Sequence, residues 1–93
     1  MYDVAFEDKR VKKQFDGLQK SEQEEIKEAL DILKSNISIS EKLVGDLSGH
    51  WSLHIGKSLR AIYKIDGNTI VIRAVGHHHI YQEFSRYLRK SGK

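Results

Sequence analysis

The 93-residue sequence predicts an α+β fold in which helices pack on one face of an antiparallel sheet. Between residues 51 and 75, apolar and polar residues alternate in three short stretches, as in strands with one buried face. Turn-forming residues separate these stretches, at Gly56 and at residues 66–68. Residues 8–35 and the segment after Gly76 instead have the wider apolar spacing of amphipathic helices.

The first 20 residues predict a strand followed by a helix. Tyr2, Val4 and Phe6 alternate with polar or small residues, which predicts a strand at about 2–6. From Asp8 the spacing becomes helical, with an apolar stripe on one side and a run of four basic residues on the other. We interpret that basic run as a solvated helix face.

A second helix is predicted from about residue 21 to about residue 35. Ser21 and Glu24 have the spacing of a capping box, and Ile26, Ala29, Leu30 and Leu33 form one apolar stripe. The two helices, joined by a polar link at 17–20, form a helical hairpin that needs an apolar partner. Residues 36–50 are interpreted as an ordered connection with a short strand.

Three strands then form a meander, and a short helix closes the domain. One sheet face is predicted to lie under the helices, with Trp51, Leu53, Tyr63, Ile70 and Ile72 on the alternating apolar positions. The other face presents four basic side chains, His54, Arg60, Lys64 and Arg73, with no acidic residue alternating among them. Such a face suits a run of phosphates, although an exposed sheet face is often polar only because it is wet.

Length and composition limit the possible classes of protein. The chain is expected to form a single domain over 1–93, and without cysteine it has neither disulfides nor thiolate metal sites. No stretch is apolar enough to span a bilayer, and the N-terminus lacks the pattern of a signal peptide, so we expect a cytoplasmic protein. A net charge of +3 weakly favours an anionic partner.

The segment after the last strand carries the residues best suited to chemistry. His77, His78, His79 and Tyr81 follow a buried strand, and histidine changes charge near neutral pH. Histidine, arginine and tyrosine around one phosphate are the parts of a metal-free ribonuclease. Any one of these histidines, considered alone, is explained as well by a place in a solvated loop as by a part in catalysis. Because consecutive residues do not readily aim three imidazoles at one ion, we expect no metal site and no cofactor.

Three motifs, in this order, resemble one family. They are the segment Glu41-Lys42-Leu43-Val44-Gly45-Asp46-Leu47-Ser48-Gly49-His50-Trp51-Ser52, then Leu59-Arg60-Ala61-Ile62-Tyr63, then Gly76-His77-His78. With the order of strand, helical hairpin and meander, they resemble the RelE/ParE superfamily of bacterial and archaeal toxins, and in particular the YoeB-type messenger-RNA interferases. The resemblance covers essentially the whole chain.

This resemblance implies a toxin of a type II toxin–antitoxin system. Such a toxin is an endoribonuclease that cleaves messenger RNA, usually in the ribosomal A site, and leaves a cyclic phosphate. Its expected partners are a cognate antitoxin, messenger RNA and the ribosome, with no membrane and no direct DNA contact.

The resemblance also implies roles for individual residues. Arg60 matches the arginine that contacts the scissile phosphate, Glu41 the proposed general base, and His78 the C-terminal catalytic histidine. The family tyrosine corresponds either to His79 or to Tyr81, so the general acid is one of these three C-terminal residues, and a histidine is an alternative base. Further RNA contacts are expected from basic side chains around the site, namely Lys57, His54, Arg73, Lys64 and His77.

Two other functions are compatible with the same fold. A ParE-like protein inhibits DNA gyrase by protein contact and has no need of the histidine–tyrosine segment. A toxin that has lost its activity would still fold and bind its antitoxin, and its polar sheet face would have no catalytic part.

Overall fold

The structure, a computed structural model, describes residues 1–90 and contains three helices and a five-stranded sheet. In chain order the elements are strand β1 (Asp3–Phe6), helices α1 (Lys9–Asp16) and α2 (Lys20–Ser35), strands β2 (Glu41–Lys42), β3 (Trp51–Ile55), β4 (Leu59–Asp66) and β5 (Thr69–His77), and helix α3 (Ile80–Lys90). The strand order in the sheet is β1-β5-β4-β3-β2, with β1 parallel to β5 and the other pairs antiparallel. The predicted α+β class, helical hairpin and meander are confirmed.

The two hairpin helices begin at capped ends. Asp8 caps α1 by accepting a hydrogen bond from the Val11 amide at 3.2 Å. The capping box predicted at Ser21 and Glu24 is wrong, because α2 already begins at Lys20. Gln19 is the extended residue before the helix, and its amide donates to the Glu22 carboxylate at 3.0 Å.

Helices cover both faces of the sheet. On one, which we call the hairpin face, α1 and α2 bury a core that includes Val11, Leu33 and Tyr63. On the other, which we call the α3 face, Ile62 and Ala74 pack against α3. The prediction of an uncovered basic second face is therefore wrong. Ile62 lies between Arg60 and Lys64 on β4, and because α3 packs over Ile62, the basic side chains of this face fall into two separate groups.

A bulge in β5 sets which side chains reach each face. Ile62 pairs with Ala74 but Tyr63 pairs with Ile72, so Arg73 is an extra residue in β5. Ile72 therefore packs on the hairpin face, as predicted, and Ala74 on the α3 face, although strict alternation along β5 would place both on one face.

Side chains of α1 satisfy the backbone groups around this bulge. Arg10 donates to the Arg73 carbonyl at 2.8 Å, and the Val75 amide donates to the Gln14 side chain at 3.0 Å. Within residues 1–90, no helix has the length and apolar character needed to cross a membrane.

Candidate active site

Polar side chains of three adjacent strands line up on the α3 face. In the strand register Glu41 of β2 lies opposite Ser52 of β3, and His54 of β3 lies opposite Arg60 of β4. The His54 Nε2 atom is 3.4 Å from a Glu41 carboxylate oxygen, and both side chains are exposed. We call these three candidate site residues, Glu41, His54 and Arg60, the catalytic row. It brings a carboxylate, an imidazole and a guanidinium to one accessible part of the sheet.

Arg60 is the permanent cation of this row. Its side chain donates to its own neighbour, the Leu59 carbonyl, at 2.7 Å. Among residues 1–90, no carboxylate forms an ion pair with it. Gly76 lies opposite Arg60 in the register, and a methyl group there would come within 2.8 Å of Ile80. The glycine thus allows α3 to begin close beside the row. The positive charge of the Arg60 guanidinium is not offset by a carboxylate of residues 1–90.

Tyr81 reaches the row from the first turn of α3. Its hydroxyl forms a short hydrogen bond with the hydroxyl of Ser52, a residue with no exposed surface. Ser52 alternates with the apolar residues of β3, which predicts the face opposite the hairpin helices, and neither its burial nor its partner on α3 was predicted from the sequence. The bond holds the phenol over the same strand that carries His54.

The three consecutive histidines do not point to a single place. His77 lies opposite Leu59 on the hairpin face, where its ring nitrogens are 3.2 Å from the Ser58 hydroxyl and 3.1 Å from a Glu22 carboxylate oxygen. The His79 ring stacks on that of His77, with centroids 6.3 Å apart, and its Nε2 lies 3.5 Å from Glu83. His78 is exposed in the turn between β5 and α3. The strand register therefore separates His77 from the catalytic row.

The remaining predicted RNA contacts fall into two groups. Lys57 is exposed in the turn between β3 and β4, at the end of the sheet where His54 and Arg60 lie. Lys64 and Arg73 lie beyond Ile62, on the other side of the part covered by α3.

Arg73 is already neutralised by a partner distant in sequence. Its Nε donates to Glu7 at 2.9 Å, and the side chains are only 17% and 23% exposed. This pairing corrects the expectation that no acidic residue offsets the basic side chains of this face.

A buried histidine completes the Arg73 cluster and was missed in the sequence. His50 Nε2 lies 2.8 Å from Arg73, and its Nδ1 is 3.2 Å from the Leu47 carbonyl. Burial is the main cause that lowers the pKa of His50 from its ordinary value of 6.5, and the positive charges of Arg73 and Lys64 act in the same direction. A neutral ring that donates from Nδ1 and accepts at Nε2 fits these contacts. We assign His50 a structural part, remote from the catalytic row.

Across residues 1–90, no three histidine or carboxylate side chains come together in a way that would hold a metal ion. The carboxylate, imidazole and guanidinium of the row are groups that can transfer protons and stabilise negative charge.

Comparison with known proteins identifies the family. Residues 7–80 match the family described as the ParE toxin of type II toxin–antitoxin systems, and the chain belongs to this family. The resemblance to the RelE/ParE superfamily is thereby confirmed. No curated protein sequence matches the chain.

Solved structures of three toxins share the fold. A mutant of the Escherichia coli toxin RelE in the free state is similar with a TM-score of 0.77 and 20% identity, over 96% of both chains. The RelBE2 toxin–antitoxin complex of Mycobacterium tuberculosis has a TM-score of 0.71 and 23% identity, over 83% of this chain and 98% of that one. A heterotetrameric YoeB–YefM complex of Staphylococcus aureus has a TM-score of 0.65 and 26% identity, over 84% and 98%.

Proposed function

We propose that this toxin is an endoribonuclease that cleaves messenger RNA in the ribosomal A site, with the catalytic row as its active site. The observation that carries the proposal is the position of Arg60, an arginine without an acidic partner in the described chain, directly opposite the His54 side chain that contacts Glu41. A cation next to an acid–base pair on an accessible sheet face suits a scissile phosphate. The YoeB-like motifs point to the same reaction.

The proposed reaction needs no group from outside the protein. Glu41, with His54 beside it, takes the proton from the ribose 2′-hydroxyl, and the 2′-oxygen attacks the phosphorus. Arg60 stabilises the negative charge of the phosphorane. The bond from phosphorus to the 5′-oxygen breaks, and Tyr81 gives that oxygen its proton. The products are a 2′,3′-cyclic phosphate and a 5′-hydroxyl. Glu41 then gives its proton to water and Tyr81 regains one from water, which restores both groups.

The cognate antitoxin is the proposed inhibitor and stable partner. Two of the similar structures are complexes of a toxin with its antitoxin, RelBE2 and YoeB–YefM. An antitoxin that covers Arg60 would block substrate by occupying the permanent positive charge of the catalytic row.

Substitution of single residues tests the site in cells. We expect Arg60→Ala to abolish growth arrest, and His78→Ala to do so if that exposed residue also contacts the phosphate, while both proteins still fold and bind antitoxin. Lys13→Ala is the control, since it removes an exposed cation from α1, far from the row. Full toxicity of both Arg60→Ala and His78→Ala would show that the site is misplaced.

A gyrase inhibitor is the second candidate, because the matched family model is that of a ParE toxin. Primer extension on translated messenger RNA separates the two: the proposed enzyme gives new 5′ ends that Arg60→Ala abolishes. An inhibitor of gyrase leaves the transcripts intact and instead changes DNA supercoiling or traps cleaved DNA.

A further inference from the structure

A cleft of about 520 Å³ lies between α3 and the loop before β3. Its wall on the helix side includes Arg86 and Arg89, and its wall on the loop side includes Val44 and Asp46. Tyr81 lines one end. Since the Tyr81 hydroxyl is bonded to Ser52 beside the catalytic row, the cleft adjoins that row.

We propose that this cleft is a subsite for one nucleotide of the RNA strand next to the scissile phosphate. This inference rests on the proposed ribonuclease function and extends it to substrate recognition. Arg86 and Arg89 would contact the backbone phosphate, and Asp46 would contact the base.

The helix side supplies two cations. Arg86 and Arg89 are exposed and three residues apart, so they lie on neighbouring positions of the helix surface. Arg89 donates to the Ser85 hydroxyl at 3.4 Å, and that hydroxyl in turn donates to Asp46, so Ser85 lies between the two charges. Within residues 1–90, neither arginine forms a direct ion pair. Two guanidinium groups at this spacing suit a phosphate, which accepts hydrogen bonds from more than one donor.

The loop side supplies an apolar surface and one carboxylate. The Val44 side chain is 79% exposed although it is apolar, and buried Leu47 lies beside it at the base of the cleft. With the Tyr81 ring these side chains offer a surface on which a base can stack.

Asp46 gives the subsite a preference among bases. Its carboxylate accepts from the Ser85 hydroxyl at 3.2 Å and has capacity for further donors. Adenine, cytosine and guanine carry an exocyclic amino group that can donate to it. Uracil has only its N3–H to donate, and that group is flanked by two carbonyl oxygens that the carboxylate repels. A strand with an amino-bearing base at this position is therefore favoured over one with uracil.

The same chemistry argues against an acidic peptide as the occupant. A peptide rich in glutamate would be drawn to the two arginines but would meet Asp46 at the opposite wall. A nucleotide presents its negative charge at one end and a hydrogen-bond donor at the other, which matches the two walls.

Binding of a non-cleavable strand tests the subsite without depending on catalysis. The probe is a fluorescent single-stranded RNA of about seven nucleotides with a 2′-deoxyribose at the scissile position, measured by anisotropy at several salt concentrations. We expect Arg86→Ala and Arg89→Ala each to weaken binding about tenfold and to reduce the slope of log K against log salt by about 0.7. Lys90→Ala is the matched control, because it removes an exposed cation of the same helix that does not line the cleft.

Asp46→Asn tests base recognition separately from charge. The substitution keeps the shape but adds an amide that both donates and accepts, so uracil should become as well bound as the other bases. If Asp46→Asn strengthens binding of all four bases equally, Asp46 acts only by repelling phosphate and the proposed base contact is wrong.

Two further outcomes separate this inference from the proposed function. Unchanged RNA affinity in both arginine variants, or no binding of the probe by the wild-type protein, overturns the subsite. If the arginine variants lose affinity for a polyglutamate peptide and not for the RNA, the cleft is a protein contact. If the arginine variants lose RNA affinity but the wild-type protein cuts no messenger RNA, the subsite stands and the proposed reaction fails.

Discussion

The hydrogen bond between Ser52 and Tyr81 predicts an unusual order of stabilities. Ser52 is fully buried and Tyr81 is half-buried. Tyr81→Phe removes the partner of a buried hydroxyl, which costs about 1–3 kcal/mol when the hydroxyl finds no other partner. Ser52→Ala leaves the phenol unpaired, but its partial exposure allows water to replace the lost bond, so a smaller loss of about 0.5–1 kcal/mol is expected.

The double variant Ser52→Ala/Tyr81→Phe should be more stable than Tyr81→Phe alone, because removal of both polar groups leaves nothing unpaired. Urea unfolding followed by circular dichroism gives the free energies of unfolding of the wild type and the three variants, and the coupling between the two sites should exceed the Ser52→Ala loss of about 0.5–1 kcal/mol. For a domain of this size each 1 kcal/mol corresponds to about 4–8 °C in Tm. Strict additivity of the two single losses would refute the reasoning.

The same variants separate the structural part of Tyr81 from its proposed catalytic part. Because the double variant has no phenol and yet should be stable, its RNA cleavage reports the proton donor alone. We expect cleavage to be lost in Tyr81→Phe and in the double variant, and kept in Ser52→Ala.

Three further predictions concern stability. The free energy of unfolding should fall as the pH is lowered from about 7, because the fold lowers the pKa of His50. The neutral form of His50 contributes stability that is present above the unfolded pKa of about 6.5 and is lost as the pH falls through the folded pKa. His50→Gln should reduce this pH dependence in urea titrations. Leu33→Ala, at a fully buried position of α2, should cost about 2–5 kcal/mol in the same assay, and a loss below 1 kcal/mol would contradict the packing. Lys12→Ala breaks an ion pair with Asp16 in which both side chains are more than half exposed, so thermal unfolding should register a change of less than about 1 kcal/mol.

Periodicity and turn residues were enough to predict the order of elements, because each signal is local. The alternation in residues 51–65 and the glycine turns predict the first two strands of the meander close to their observed bounds. Arg60, His54 and Glu41 also meet as a group, although only Arg60 and His54 were predicted to share a face from alternation.

The failures have non-local causes. The contact of Arg73 with Glu7 joins residues 66 positions apart, and no local pattern indicates it. The cover of Ile62 by α3 depends on the direction in which the chain leaves β5, which alternation does not encode.

The bulge at Arg73 is the feature with the widest effect. A strand without it would keep a strict alternation, with Ile72, Ala74 and Gly76 on one side.

That one extra residue decides which face of the sheet the His77 side chain reaches. In a regular strand His77 would extend from the same face as Arg60, and the observed bulge instead turns it toward Glu22 of α2. Deletion of a single residue at this point would therefore move each later side chain of β5 to the opposite face of the sheet. His77 would then lie on the face of Arg60, with no change in residue type.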